Sequence, residues 1–178
     1  NTLRTLAQKK HVRGIVCEIK SLESGWPELE EFRSLLIEFR QAGKSVILYP
    51  HHLTLAELYL KSAVDSLLLS PAAPVMLTTP AFQSFYFQSL LKEIGISFEI
   101  QHIGIHKSAP EAMTRSFPSP MNRADLLEIL DTFCTQMIRE MTQDEEDFKR
   151  IAQLLGWGVF TVEEAVNLKF VDAVRFYD

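Results

Sequence analysis

A lysine at the end of an alternating, largely apolar stretch is the residue best placed to do chemistry in this chain. Ser97-Phe98-Glu99-Ile100-Gln101-His102-Ile103 alternates as a strand does, and Gly104 breaks it. Ile105-His106 then deliver Lys107 into Ser108, Ala109 and Pro110. A free lysine amine titrates near about 10.4, so a base at neutral pH needs roughly 4 kcal/mol of discrimination against its charged form. Packing among small and apolar neighbours supplies that; an open loop leaves an ordinary solvated cation.

Other candidates carry less. His102 and His106 are four apart, a spacing that puts two ligands on one face. Gly104 interrupts that geometry and no third ligand follows at a suitable distance, so no metal is expected. His51-His52 follows an apolar run, where α/β proteins tend to keep their sites, but reads as a polar turn. No serine lies in a Gly-x-Ser-x-Gly elbow, and there is neither a phosphate loop nor a Gly-x-Gly-x-x-Gly run. Glu145-Glu146-Asp147 reads as a solvated helix start, favoured by the positive end of the helix dipole.

The elements that must position these residues alternate. Val12–Ile19, Ser45–Tyr49 and Leu67–Leu69 are short apolar runs of the kind that form buried parallel strands. Between them Pro27–Ala42 carries a helical stripe of Leu29, Phe32, Leu35, Leu36 and Phe39, closed by Gly43, and Leu55–Ala63 is a short helix. Leu3, Leu6 and Ala7 suggest a short first helix, and Phe82–Ile94 an aromatic helix closed by Gly95. Such alternation predicts right-handed βαβ units and a mostly parallel sheet. After Pro120 the pattern turns helical. Asn122 is expected to cap a helix with Leu126, Leu127, Leu130, Phe133, Met137 and Met141 on one face, followed by a helix over 144–155. Thr161-x-x-Glu164 is a capping box, and 170–174 a closing segment.

Composition bounds the rest. The 178 residues are 47% hydrophobic and 23% charged, which predicts one globular domain over 1–178 with a helical part at about 121–170. A net charge of -5 without a Lys/Arg cluster argues against nucleic acid as a partner. Cys17 and Cys134 read as buried small apolar residues. No apolar run is long enough to span a bilayer. The chain opens at Asn1 inside a helical pattern, as a fragment of a longer protein would, so a signal or anchor is expected upstream.

The succession of motifs resembles a known family. It runs Gly14-Ile15-Val16, Ala42-Gly43-Lys44-Ser45-Val46, Leu58-Tyr59-Leu60-Lys61-Ser62-Ala63-Val64-Asp65 and Leu69-Ser70-Pro71. It continues through Leu90-Leu91-Lys92-Glu93-Ile94-Gly95-Ile96 and Gly104-Ile105-His106-Lys107-Ser108-Ala109-Pro110-Glu111 to Phe160-Thr161 and Val171-Asp172. Over almost its whole length the chain resembles the signal peptide peptidase (protease IV) family, within the ClpP/crotonase fold. That resemblance implies an α/β ClpP/crotonase-like fold and peptide cleavage by a serine nucleophile with a lysine general base. It places Lys107 at the catalytic lysine and calls for no cofactor.

Two departures qualify this expectation. The family's Ser-Gly-Gly-Tyr-Tyr-Leu elbow is replaced by Leu55-Ala56-Glu57-Leu58-Tyr59-Leu60, so Leu55 stands at the serine position and Thr54 is the adjacent hydroxyl, out of register. The oxyanion loop, Ser-Pro-Gly-Gly in the family, reads Ser21-Leu22-Glu23-Ser24-Gly25, and the Glu23 carboxylate opposes a developing oxyanion. The pattern matches the N-terminal half of the family's two-half members, which keeps the lysine and lacks the serine. The expected partners are therefore a second, serine-bearing domain of the same protein, further copies in a homo-oligomer, and apolar or signal peptides as substrates. The expected location is the extracytoplasmic face of a bacterial inner membrane, with the anchor outside this chain. The rival readings are a non-catalytic scaffold half, and an acyl-CoA-binding crotonase relative that Glu23 disfavours.

Overall fold

The computed structural model describes residues 2–101, 104 and 106–177. They form two compact units, 1–79 with 137–178, and 80–136.

The first unit is built on a four-stranded parallel sheet in the order β1 (Gly14–Ile19), β2 (Ser45–Pro50), β3 (Ser66–Leu69) and β6 (Ala173–Val174). The register runs from Gly14 opposite Ser45 to Ile19 opposite Pro50, then Leu48 opposite Leu67 and Leu69 opposite Val174. Gly14 has a steric reason to be glycine: a Cβ there would meet the Ser45 carbonyl oxygen at 2.7 Å. The crossovers are α2 (Trp26–Gln41), with Pro27 in its first turn and Leu29, Leu36 and Phe39 buried, and α3 (Leu55–Lys61). Val46, Leu48, Leu60, Leu67, Leu69 and Phe170 complete a closely packed core. β1 was expected to be buried, but it is the edge strand, and Val16 is 55% exposed. Cys17 and Cys134, expected buried, are half-buried free thiols; burial pushes both upward in pKa, with Asp131 adding to the rise at Cys134.

Two strands were not expected at all. β4 (Val75–Leu77) pairs antiparallel with β5 (Gly158–Phe160), with Val75 opposite Phe160. α1 (Thr2–Ala7), α7 (Glu145–Leu154) and α8 (Val162–Asn167) complete this unit. Asp144 caps α7 by accepting from the Asp147 amide, and the Thr161–Glu164 capping box opens α8.

The second unit contains α4 (Gln88–Glu93), α5 (Glu111–Thr114) and most of α6 (Pro120–Met141), whose last turn from Met137 belongs to the first unit. Three expectations are corrected here. Residues 82–87 are not helical, and α4 starts only at Gln88. Residues 97–101 form no strand: their backbone has no neighbouring strand to pair with, and Phe98 and Ile100 are exposed. α6 begins two residues before Asn122, with the Ser119 hydroxyl accepting the Asn122 amide at 3.1 Å, so Ser119 rather than Asn122 is the cap. His102, Ile103 and Ile105 lie outside the described residues. None of the described residues of 80–136 is buried, and Phe85, at 65% exposure, lies among a series of exposed apolar side chains.

Candidate active site

Lys107 stands between the end of the 97–101 segment and α5. It lines a cleft of about 810 Å³ within the second unit, with Phe98 and Ile100 on the apolar side and Glu111, Arg115 and Ser119 on the polar side. The amine-bearing residue is exposed, not packed among apolar neighbours. Pro110 precedes α5, which places Glu111 in its first turn. The Glu111 carboxylate accepts from the Ser119 amide at 2.9 Å and from the Asn122 side-chain amide at 3.1 Å. Burial alone pushes the Glu111 carboxyl up, but those bonds and the Arg115 charge hold it below the usual carboxylate range. One wall of the cleft therefore carries a fixed anion, and Ser119 is committed to starting α6.

The turn from β2 into α3, which the resemblance sets at the nucleophile elbow, lies in the first unit. Leu55, which the resemblance sets at the serine position, is buried at 6% exposure. Thr54 is the N-cap of α3: its hydroxyl accepts the Ala56 amide at 3.2 Å and donates to Glu57 Oε2. Glu57 Oε2 also takes the Thr54 amide at 2.8 Å, which closes a capping box. Glu57 is fully buried, and its Oε1 has no hydrogen-bond partner; His52 Nε2 lies 3.6 Å away. This buried carboxylate was not singled out from the sequence, although the Thr-x-x-Glu signature was there to be read. The Thr54 hydroxyl, next to Leu55, is thus held as a helix cap. Thr54→Ala should cost about 2 kcal/mol by urea unfolding, because it removes the cap and leaves the buried Glu57 short of a donor. Thr54→Ser should restore most of it, and neither change should alter peptide turnover by the folded protein.

The remaining candidates resolve into local pairs. His106 Nδ1 sits 3.0 Å from Asp125, His51 Nε2 sits 2.8 Å from Glu18, and His52 faces Glu57. Among the described residues no cluster of three His, Cys, Asp or Glu side chains could hold a metal ion. Glu23 is exposed in the loop before α2. The Glu145–Asp147 run is the first turn of α7, as expected.

Comparison with known proteins puts these features in a family. The chain is 26% identical over 97% of its length to the chloroplastic serine protease SPPA of Arabidopsis thaliana, and covers 26% of that protein. It is 29% identical to Protease 4 of Salmonella typhi over 69% of its own length and 20% of the relative's. It spans about a quarter of the plant relative and a fifth of the bacterial one. Among solved structures, a substrate-peptide complex of the 1510-N membrane-bound stomatin-specific protease has a TM-score of 0.50 at 13% identity, covering 96% of this chain and 64% of that one. An enoyl-CoA hydratase/isomerase family protein from Silicibacter pomeroyi gives a TM-score of 0.41 at 13% identity, over 98% and 61%. The fold is therefore of the ClpP/crotonase type, α/β with a mostly parallel sheet. The sequence profile of Peptidase family S49 matches residues 38–178, and the chain belongs to that family.

Proposed function

We propose that this chain is the lysine-bearing part of a serine peptidase, and that Lys107 is the general base for a serine supplied by a second domain of the same protein. In the reaction, Lys107 Nζ takes the proton from the serine hydroxyl as its oxygen attacks the peptide carbonyl. The amine then returns that proton to the leaving nitrogen as the acyl-enzyme forms. The oxyanion donors come from the serine-bearing domain, since Glu23 occupies the corresponding loop here.

The observation that carries the proposal is the state of the second unit. Lys107 lines its cleft, yet no described residue of that unit is buried. Phe82, Phe85, Leu90 and Ile94 lie open to solvent. Surfaces of this kind mark sites of association, and a serine-bearing domain seated there would remove water from the Lys107 amine. Leu55 and the capped Thr54 support the same division of labour from the other side, because they leave no nucleophile at the elbow. The cleft's apolar side suits extended apolar peptides, signal peptides among them, and the exposed face of α6 suits contact with further copies. A bacterial member would work at the extracytoplasmic face of the inner membrane; among the described residues no helix is long and apolar enough to cross one.

A scaffold reading has its own support, in the exposed Glu23 and the buried Leu55. Labelling of the intact protein with a fluorophosphonate probe, followed by peptide mapping, separates the two. The proposal expects modification at a serine outside residues 1–178 and slower labelling when Lys107 is replaced by methionine. Labelling of Ser108 or Ser119, or a rate indifferent to Lys107, would overturn it.

A further inference from the structure

A second cleft, of about 290 Å³, opens in the first unit. It is lined by Arg40 of α2, Lys61 of α3, Arg150 of α7 and Lys169, which follows α8. Asp147 lies beside these four cations in the lining, and Asp65 and Asp172 pair with two of them from outside it, so the cations exceed the carboxylates by one.

Three of the cations are held in place by the fold. Arg40 gives only its Nε to Asp65, at 2.8 Å, while the other Asp65 oxygen takes the Val46 amide. Lys61 pairs with Asp172 at 3.0 Å, and that aspartate also accepts the Leu67 amide. Arg150 grips Asp147 through Nε and Nη2, neutralising it, and donates Nη1 to the Leu168 carbonyl at 2.7 Å. The aspartates are thus shared with strand amides or spent on one guanidinium, and guanidinium donors remain for a ligand.

Lys169 differs from the other three. No carboxylate among the described residues lies within ion-pair distance of its ammonium. Its backbone has φ 60°, and it is the one non-glycine described residue with positive φ. It follows Leu168, the C-cap of α8, at the position where helices usually end in glycine because a Cβ strains the left-handed conformation. Lys169 thus places an exposed ammonium without a carboxylate partner among the described residues on the wall of a cationic cleft, at a position that favours glycine.

We propose that this cleft binds a small oxyanion of the phosphate class, with Lys169 completing the four cations of its lining. One cation is in excess of the carboxylates around the cleft, and guanidinium forks match phosphate oxygens. The volume of about 290 Å³ is ample for one such group together with water. The same chemistry is offered by free phosphate and by a phosphomonoester lipid headgroup.

The test is isothermal titration of the intact protein with inorganic phosphate at an ionic strength held constant with sodium chloride. Saturable binding is expected in the wild type, weakened at least about tenfold in both Lys169→Gln and Lys169→Gly. Lys169→Gly should also melt a few degrees higher without phosphate, since it relieves the backbone strain while removing the ligand. Flotation with phosphatidic acid vesicles against phosphatidylcholine vesicles distinguishes the sources. Binding to the acidic vesicles that is lost in Lys169→Gln points to the headgroup, and phosphate binding without it points to the free anion. No saturable phosphate binding above chloride, or equal affinity in wild type and both variants, would overturn the proposal.

Discussion

Replacing Lys107 with methionine should reduce hydrolysis of a fluorogenic apolar peptide by the intact protein about 10³-fold or more, with the fold unchanged. The magnitude is that of a general acid–base group lost from a step that needs it twice, once to activate the serine and once to protonate the leaving amine. The fold should survive because Lys107 is exposed, and exposed substitutions of this kind usually shift stability by less than about 0.5 kcal/mol. Methionine keeps an unbranched apolar stem, one atom shorter, while removing the amine. Arginine should not rescue turnover, because a guanidinium stays protonated and cannot accept the serine proton. Circular dichroism and the urea midpoint report the fold, and turnover at saturating and limiting peptide separates kcat from KM. A folded Lys107→Met protein with wild-type turnover would place the base elsewhere and leave this chain as a scaffold.

What could be read from the sequence follows the length of each pattern. α2 repeats its apolar stripe over four turns, and Leu29, Leu36 and Phe39 are buried where the stripe placed them. β1, β2 and β3 were visible as apolar runs between turn residues, though nothing local told edge from centre, and Val16 faces solvent. β4 and β5 are three residues each, too short for a period to register, and they pair across more than 80 positions of chain. The 97–101 segment shows the converse failure. Alternation predicted a strand, but alternation describes a side-chain pattern, and a strand also needs a partner for its backbone. Phe82–Phe87 looked helical only because its aromatic residues continue the pattern of α4. At the candidate site, Lys107 was singled out through its motif. The capping of Thr54 and the burial of Glu57 were coded in Thr-x-x-Glu, a local signature. The four cations of the second cleft were not legible, since Arg40, Lys61, Arg150 and Lys169 are scattered over about 130 positions and only the fold brings them to one lining.

The largest loss of stability is expected from Arg33→Ala, at about 3 kcal/mol. Arg33 lies on α2 and is mostly buried, with 16% of its side chain exposed. Its Nε donates to Ser62 Oγ at 2.8 Å, its Nη2 to the Glu140 carbonyl at 2.8 Å, and its Nη1 lies 3.4 Å from Glu140 Oε2. The guanidinium also stacks over the Tyr59 ring at 4.9 Å, while Tyr59 donates to the same Glu140 oxygen at 2.5 Å and meets Trp26 edge-on. One side chain thereby ties α2, α3 and the last turn of α6 together. Removing it takes a counter-charge from the half-buried Glu140 carboxylate, the costly way to break such a pair. Arg33→Lys should recover little, because an ammonium cannot reach three acceptors in a plane and stack as well. The same network predicts an alkaline limit. Burial first, then the hydrogen bond to Glu140, push the Tyr59 hydroxyl up to about 12, against the opposing pull of Arg33. A group whose folded pKa is raised stabilises fully below its unfolded value and loses that contribution as pH climbs through the folded one. Stability should therefore hold from neutrality to about pH 10 and fall between about 10 and about 12, as followed by urea midpoints and tyrosinate absorbance. Tyr59→Phe should be less stable at neutral pH but should flatten that alkaline fall, since phenylalanine has no proton to lose. An alkaline fall of the same size in Tyr59→Phe would assign the limit to another tyrosine and sink this account of the network.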